Sequence, residues 1–186
     1  MAKSISLSPD ADISGNWVLS TGSDYYAILG TPEDGQWVST PQIGRHVRMT
    51  LEDFDYNYDS IISVQVCISG YRGGRSGTHD VTVDIENDSN VDYYSDTHIL
   101  TGNGGIPATY CSSEYTTSDG GSTAWTLSDL NNLRIYFQSD EDNVDSVYVH
   151  STYINVVYTI PTYTSDDNII IKNGLITLKN GLIDIK

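Results

Sequence analysis

The sequence predicts an all-β protein: an antiparallel β-sandwich of the jelly-roll kind, followed by a three-stranded β-meander at the C-terminus. The composition favours strands, since Tyr occurs 14 times, Gly 16 times and Phe only twice, and long-helix formers are sparse. About nine or ten short strand-forming stretches follow one another, separated by clusters of Gly, Asp, Asn and Ser. Short strands at this spacing are typical of an antiparallel sandwich and not of a parallel α/β fold.

Four segments are predicted along the chain. Residues 1–15 are polar and predict an N-terminal arm or a loosely held first strand. Residues 16–160 contain the strand pattern of the sandwich domain. Residues 161–168 form a linker, and residues 169–186 form a separate tail.

The first half of the sandwich begins with short β runs at residues 16–20, 24–29 and 36–39, which turn residues separate. Residues 44–51 alternate without a purely apolar face and predict an edge or half-exposed strand.

A hairpin is predicted from residues 61–70 and 80–86, because both alternate cleanly and a glycine-rich stretch at 71–77 connects them. One face of its first strand is predicted to carry Ile62, Val64, Val66 and Ile68.

The second half contains an acidic loop at residues 86–96 and one short helical turn that begins near Ser128 and Asp129. An acidic loop at 139–145 precedes the longest strand signal. The strands predicted here are residues 97–101, 108–117, 133–138 and 147–160.

The tail repeats Lys-Asn-Gly-Leu-Ile at residues 172–176 and 179–183. Asn-Gly disfavours a helix and is typical of a two-residue type I′ turn, so the tail is predicted to be a meander. Two-residue turns place Lys172 opposite Leu175 and Ile169 opposite Leu178. One face then carries six aliphatic residues: Ile169, Ile171, Ile176, Leu178, Ile183 and Ile185.

Burying these six side chains is worth about 10 kcal/mol before ordering costs, but a lone three-stranded sheet has nothing to bury them against. The tail can pack on its own domain, or on copies of itself as a prism or by strand addition to a neighbour. The second alternative is favoured, because the tail is repeated and charge-neutral. A homo-oligomer, and a trimer in particular, is the working hypothesis.

Charge excludes some partners. Nine basic and 25 acidic residues give a net charge of −16, all of it carried by residues 1–165. Such a chain repels phosphate backbones and anionic membrane surfaces, so nucleic acid is not expected as a partner. No apolar run is long enough for membrane insertion, and no signal peptide is recognised, which predicts synthesis in a cytoplasm without classical export.

The two cysteines, Cys67 and Cys111, are compatible with one disulfide or with two buried thiols. The two thiols are favoured.

Catalytic motifs are lacking. There is no P-loop and no G-x-S-x-G elbow, so no cofactor and no enzymatic activity are predicted. Asp53 and Asp55 could serve glycoside hydrolysis, but a chain this acidic contains chance carboxylate pairs. The histidines lie far apart, and each is predicted to be a strand surface residue and not a metal ligand: His46, His79, His98 and His150.

Two groups of residues are candidate binding sites. Asp140, Asp142, Asn143 and Asp145 offer hard oxygen ligands for calcium, but the Gly and Glu of an EF-hand loop are missing, so a solvated hairpin tip is favoured. Four tyrosines predicted in loops could stack on sugars, although a Tyr-rich β protein exposes tyrosines in any case: Tyr56, Tyr58, Tyr93 and Tyr94.

One motif carries a resemblance. Residues 125–133 read W-T-x-x-D-L-N-x-L, and residues 153–158 read Y-x-x-V-x-Y. This pattern resembles the closing part of β-sandwich domains in structural proteins of tailed bacteriophages, and Asn16-Trp17 with residues 25–29 looks similar to their start. The resemblance implies a non-enzymatic virion component: a capsid decoration protein, a head fibre or a tail appendage. It implies assembly in the host cytoplasm, with other virion proteins as partners and a host-surface glycan as a further ligand.

Two other classes of function remain open. A carbohydrate-binding module or adhesin would use the tyrosine loops. An extracellular filament subunit would donate its aliphatic tail as a strand to the next copy. A hydrolase is the least favoured.

Overall fold

The computed structural model is a sandwich of two antiparallel β-sheets, which confirms the predicted fold class. It describes residues 1–30, 36–73, 79–100, 106–140 and 146–161, and the backbone of residues 169–172 and 175–178. In chain order the elements are β1 (Ala2–Leu7), β2 (Pro9–Gly15), β3 (Val18–Leu19), α1 (Tyr25–Leu29), β4 (Val38–Thr40), β5 (His46–Leu51), β6 (Ser60–Arg72), β7 (His79–Glu86), β8 (Asp92–Leu100), β9 (Ala108–Cys111), α2 (Leu127–Leu130), β10 (Arg134–Ser139), β11 (Val147–Thr159), β12 (Ile169–Lys172) and β13 (Leu175–Leu178).

The first sheet has six strands in the order β3-β4-β11-β6-β9, and β1 also pairs with β11. We call it the terminal sheet. The second sheet has five strands in the order β2-β5-β10-β7-β8, and we call it the central sheet. As expected from its length and its Val, Ile and Tyr content, β11 lies inside a sheet, with β6 on one side and β1 and β4 on the other.

The core lies between the two sheets because apolar residues alternate along the strands. In β10, Ile135 and Phe137 are fully buried, and Tyr136 between them points away from the core. Trp17 packs edge-on against Phe137, with 5.1 Å between the ring centroids. The same alternation in β5 buries Val47 and Met49.

The N-terminal residues form two strands, so of the two alternatives predicted there, an arm or a loosely held first strand, the structure has the strand. β1 pairs with β11 along its length, and β2 pairs with β5 in the other sheet. The polar side chains that suggested an arm are mostly exposed or half-buried, while Leu7 and Pro9 are buried. Two alternatives were predicted for residues 44–51, an edge strand or a half-exposed strand. Because β2 pairs with the outer side of β5, the structure has the half-exposed strand and not the edge strand.

Residues 25–29 form a helical turn and not the predicted strand. The carboxylate of Asp12 in β2 accepts hydrogen bonds from the backbone N–H groups of Tyr25 and Tyr26, each at 2.7 Å. These are donors that the start of a helix leaves without an internal partner. The cap comes from another strand, so local sequence did not reveal it.

The predicted hairpin of residues 61–70 and 80–86 does not form. β6 pairs with β11 and β9, whereas β7 pairs with β10 and β8 in the opposite sheet. Two strands that each have one apolar face can pair with each other, or they can lie in opposite sheets with their apolar faces across the core. The alternation therefore did not distinguish these two arrangements. Ile62 was also assigned to the wrong face: a register shift against β11 leaves Ile61 buried and Ile62 exposed.

Cys67 and Cys111 form a disulfide, which corrects the expectation of two thiols. The two residues are direct cross-strand partners in β6 and β9. The bond therefore fastens β9, which in the described part of the chain pairs with β6 alone, to the middle of the terminal sheet.

In the tail, β12 and β13 pair in the predicted register, with Ile169 opposite Leu178, Ile171 opposite Ile176 and Lys172 opposite Leu175. The third predicted strand, with Ile183 and Ile185, lies outside the described residues. None of the helices in the described ranges is long and apolar enough to cross a membrane.

Candidate ligand-binding face

The outer face of the central sheet is polar over four adjacent strands. The residues of β5, β10, β7 and β8 that alternate with core residues line up in three cross-strand rows, and every one carries a hydrogen-bonding group. We call these twelve residues the polar face. The rows are Thr50–Arg134–Glu86–Asp92, Arg48–Tyr136–Asp84–Ser95 and His46–Gln138–Thr82–Thr97.

A salt bridge crosses the middle of the polar face. Nε and Nη2 of Arg48 donate to the two carboxylate oxygens of Glu86 at 2.6 and 2.7 Å. This two-pronged geometry is the strong form of an Arg–carboxylate pair. Only 3% of the Glu86 side chain and 21% of the Arg48 side chain is exposed. Neighbouring groups therefore cover most of this salt bridge.

Tyr136 supplies the aromatic surface of the polar face. The Arg48 guanidinium lies 4.8 Å from the centre of its ring, and the His46 ring lies nearly parallel to it at 5.5 Å. The Tyr136 hydroxyl donates to Gln138 Oε1 at 2.5 Å. Burial raises the pKa of Tyr136, and the negative charge of Asp84 raises it further. Tyr136 therefore offers a neutral, amphipathic ring among planar polar groups.

Carboxylates gather at one corner of the polar face. Asp84, Glu86 and Asp92 each place an oxygen within 4.8 Å of the others. Burial raises the pKa of Asp84 from 3.8 to about 6, and the charges of Asp92, Glu86 and Asp140 act in the same direction. Burial therefore disfavours the ionised form of Asp84.

The loops beside the polar face are anchored to it. Thr82 Oγ1 donates to Asp140 Oδ2 at 2.5 Å, and Arg134 Nη1 donates to Asn90 Oδ1 at 2.7 Å. Of the acidic loop considered as a calcium site, Asp140 thus lies beside the polar face, whereas Asp142, Asn143 and Asp145 lie outside the described residues.

Two of the tyrosines considered as sugar contacts, Tyr56 and Tyr58, lie around Phe54. Their ring centroids are 5.3 and 5.8 Å from that of the buried Phe54. Tyr56 also approaches Tyr158 and remains 45% exposed. This pair belongs to an aromatic cluster at the loop before β6.

The other two, Tyr93 and Tyr94, lie in β8 and not in the predicted loop. Tyr94 stacks on Tyr115 at 3.7 Å, and its hydroxyl donates to the Thr117 carbonyl. Tyr93 packs edge-on against Trp125, 5.4 Å away. The four tyrosines thus form two clusters, and their ligand role stays a prediction.

A further aromatic cluster lies on the terminal sheet. Tyr148 stacks on its cross-strand partner Tyr71 at 4.8 Å, and Trp37 meets Tyr148 edge-on at 4.9 Å. His150 lies 5.3 Å from Tyr71. These rings pack on one another, as cross-strand aromatic pairs do to stabilise sheets.

The histidines are dispersed in the described part of the chain. His46 lies on the polar face and His150 in the aromatic cluster just described, both half-buried. His98 is buried, which corrects its assignment as a surface residue, and burial lowers its pKa. The side chain of His79 lies outside the described residues.

No known protein family matches the sequence, and no curated protein matches it. Several solved structures are similar in fold. The CBM22-1 xylan-binding domain from Paenibacillus barcinonensis Xyn10C aligns with 83% of this chain and 94% of its own, at 10% identity and a TM-score of 0.42. A structure described as "CBM4 structure and function" aligns with 85% of this chain and 92% of its own, at 12% identity and a TM-score of 0.37.

Two similar structures belong to longer chains. An arabinose-bound GH51 α-L-arabinofuranosidase has 10% identity and a TM-score of 0.43, with 79% of this chain aligned to 22% of the enzyme. The enzymatically active domain of tailspike protein 4 from bacteriophage CBA120 has 10% identity and a TM-score of 0.38, with 83% of this chain aligned to 19% of that one. At these TM-scores the similarities say nothing about what this chain binds.

Most residues of the polar face were not recognised from the sequence. Arg48, Glu86 and Tyr136 alternate with apolar residues in their strands, and this alternation marks them only as outward-facing. Their meeting depends on which strands pair. The sequence did contain one signal: three strands carry a polar residue at every second, outward-facing position, and these strands end close to acidic loops.

Proposed function

We propose that this chain is a carbohydrate-binding module that holds a neutral glycan on the polar face of its sandwich. The observation that carries the proposal is the polar face itself: twelve hydrogen-bonding side chains in register, with the rings of Tyr136 and His46 among them. A sugar presents hydroxyl groups around its edge and C–H groups on its faces. Planar polar side chains beside an aromatic ring complement both parts.

Charge narrows the ligand class. Asp84, Glu86, Asp92 and Asp140 outnumber Arg48 and Arg134 around the polar face, and the whole chain carries a net charge of −16. Uronic and sialic acids would be repelled, whereas a neutral oligosaccharide pays no such cost. The proposed role is binding, without catalysis.

Calorimetric titration with neutral hexasaccharides of xylose, glucose and mannose tests the proposal, with polygalacturonate as the anionic comparison. At least one neutral hexasaccharide is expected to bind, and Tyr136→Ala should weaken that binding about tenfold or more, which corresponds to about 1.4 kcal/mol. Tyr148→Ala is the matched control, because it removes the same ring from the outer face of the other sheet. Its affinity should stay within about twofold of the parent.

Other outcomes contradict the proposal. Absence of binding to every neutral glycan would reject it. If Tyr148→Ala alone lost glycan affinity, the glycan site would lie on the terminal sheet. If Tyr56→Ala alone lost glycan affinity, the site would lie at the tyrosine cluster around Phe54.

A second candidate function is that of a bacteriophage virion component that assembles through its tail. The observation that favours it is that β12 pairs with β13 in the predicted register. The aliphatic face of the tail was predicted from that register. The Cys67–Cys111 disulfide also supports display outside a reducing cytoplasm, as on a virion surface. The two candidates are compatible, since an assembled appendage can carry a glycan-binding domain.

Sedimentation of the full chain beside a truncation that ends at Tyr163 tests the assembly role. The full chain is expected to form a closed oligomer, with a trimer as the favoured state, and the truncation a folded monomer, because the aliphatic tail needs a surface to cover it. Long polymers would indicate a filament subunit that donates a strand. If the full chain and the truncation are both monomers, the tail packs on its own domain.

A further inference from the structure

The acidic corner of the polar face has more negative charge than its ion pair balances. Asp84 and Glu86 lie two residues apart in β7, and Asp92 is the cross-strand partner of Glu86 in β8. One oxygen of each lies within 4.8 Å of the others. Within the described ranges, Arg48 forms the salt bridge there, with Glu86. The formal charges of the three carboxylates and the one guanidinium sum to −2, which is the charge that one divalent cation neutralises.

The buried carboxylate in this corner has an oxygen without a donor. Asp84 is 7% exposed, and its Oδ1 is buried and accepts no hydrogen bond from the described residues. A buried polar atom ordinarily has a partner, because leaving one without a partner costs about 1–3 kcal/mol, and more when the group is charged. Asp84 Oδ1 is therefore available to a cationic partner that the described residues do not supply.

We propose that Asp84, Glu86 and Asp92 bind one calcium ion at this corner of the polar face. Calcium takes hard oxygen ligands and accepts irregular coordination, whereas magnesium demands an octahedron. The Glu86 oxygens that accept from Arg48 each retain a second lone pair for a metal. Asp92 is exposed, so the outer side of the ion stays open to water. This site does not depend on the glycan proposal, and either can hold without the other.

Calcium titration into the chelator-treated full chain, followed by calorimetry, tests the site. The salt concentration should be about 0.15 M, where the Debye length of about 8 Å suppresses diffuse binding to an acidic surface. One calcium ion per chain is expected, with a dissociation constant of about 10⁻⁴ M, in the range of weak protein sites. The double variant Asp84→Asn with Asp92→Asn should weaken binding about tenfold or more, because it removes two of the three anionic ligands.

The matched control is Asp53→Asn with Asp55→Asn, which removes the same two charges from exposed positions. Its affinity for calcium should stay within about twofold of the parent, since Asp53 and Asp55 are exposed and do not belong to the carboxylate group of the site. Asp92→Asn alone leaves the buried residues intact and should weaken binding about threefold or more. Terbium emission excited through Tyr136, the cross-strand partner of Asp84, gives a second readout that calcium should displace.

Three results would overturn the site. The first is a parent protein that binds no calcium in the millimolar range. The second is an equal loss of calcium affinity in the site variant and in the control variant. The third is a calcium affinity that stays unchanged in Asp92→Asn and in the site variant. None of them bears on glycan binding measured in chelator, so the two proposals fail separately.

Discussion

Replacing both cysteines, as Cys67→Ala with Cys111→Ala, is expected to lower the free energy of unfolding by about 4 kcal/mol. The bond joins residues separated by 44 positions, so it removes much of the loop-closure entropy of the unfolded chain. It also fastens β9, which in the described ranges pairs with β6 alone. Marginal stabilities of about 5–15 kcal/mol make this a large fraction of the total.

Urea unfolding with and without reductant measures this effect. The parent should lose a similar amount of stability in reductant, whereas the double variant should be insensitive to it. A loss below about 1 kcal/mol in both comparisons would show that the strand pairing holds β9 without the bond.

Asp84→Asn is expected to stabilise the protein by about 2 kcal/mol at pH 7 in chelator, and to leave stability nearly unchanged at about pH 3. Folding raises the pKa of Asp84 from 3.8 to about 6, with burial as the main cause. Well below pH 3.8 the carboxyl is neutral in both states and costs nothing. As the pH rises from about 4 to about 6, the unfolded chain ionises Asp84 more readily than the folded protein, so the stability that the neutral form contributed is lost.

Urea unfolding of parent and variant between about pH 3 and pH 7 tests the sign, because the difference between the two proteins isolates Asp84 from the other carboxylates. Asp53→Asn is the control, since that residue is exposed. A variant that is less stable than the parent at pH 7 would show that the ionised form of Asp84 has partners in the fold, and that its pKa is not raised.

The sequence was most informative where one local pattern allows one structure. β11 is long and rich in Val, Ile and Tyr, so it was recognised as an interior strand. The Asn-Gly repeat determined the register of β12 against β13, because a two-residue turn allows a single pairing. The helical turn before β10 was also recognised, although its cap is Thr126, with Asp129 closing a capping box, and not Ser128.

The sequence failed where a residue's surroundings come from a distant part of the chain. Residues 25–29 form a helical turn whose first N–H groups are capped by Asp12 of a separate strand, and β6 and β7 pair in separate sheets and not as a hairpin. The cysteines illustrate the same limit. Cys67 and Cys111 form a disulfide because strand pairing makes them neighbours, and their spacing in the sequence does not indicate this pairing.

By itself, the sequence determined the fold class, since composition and the spacing of short strand-forming stretches are properties of the chain. The expectation that polyanionic partners are repelled rests on net charge and stays a prediction. Only the tertiary structure decided the candidate site. Arg48, Tyr136 and Glu86 come from three strands, and they form one surface because β5, β10 and β7 pair in one register. That register depends on the whole core, because moving any strand by one residue would turn its apolar face toward solvent.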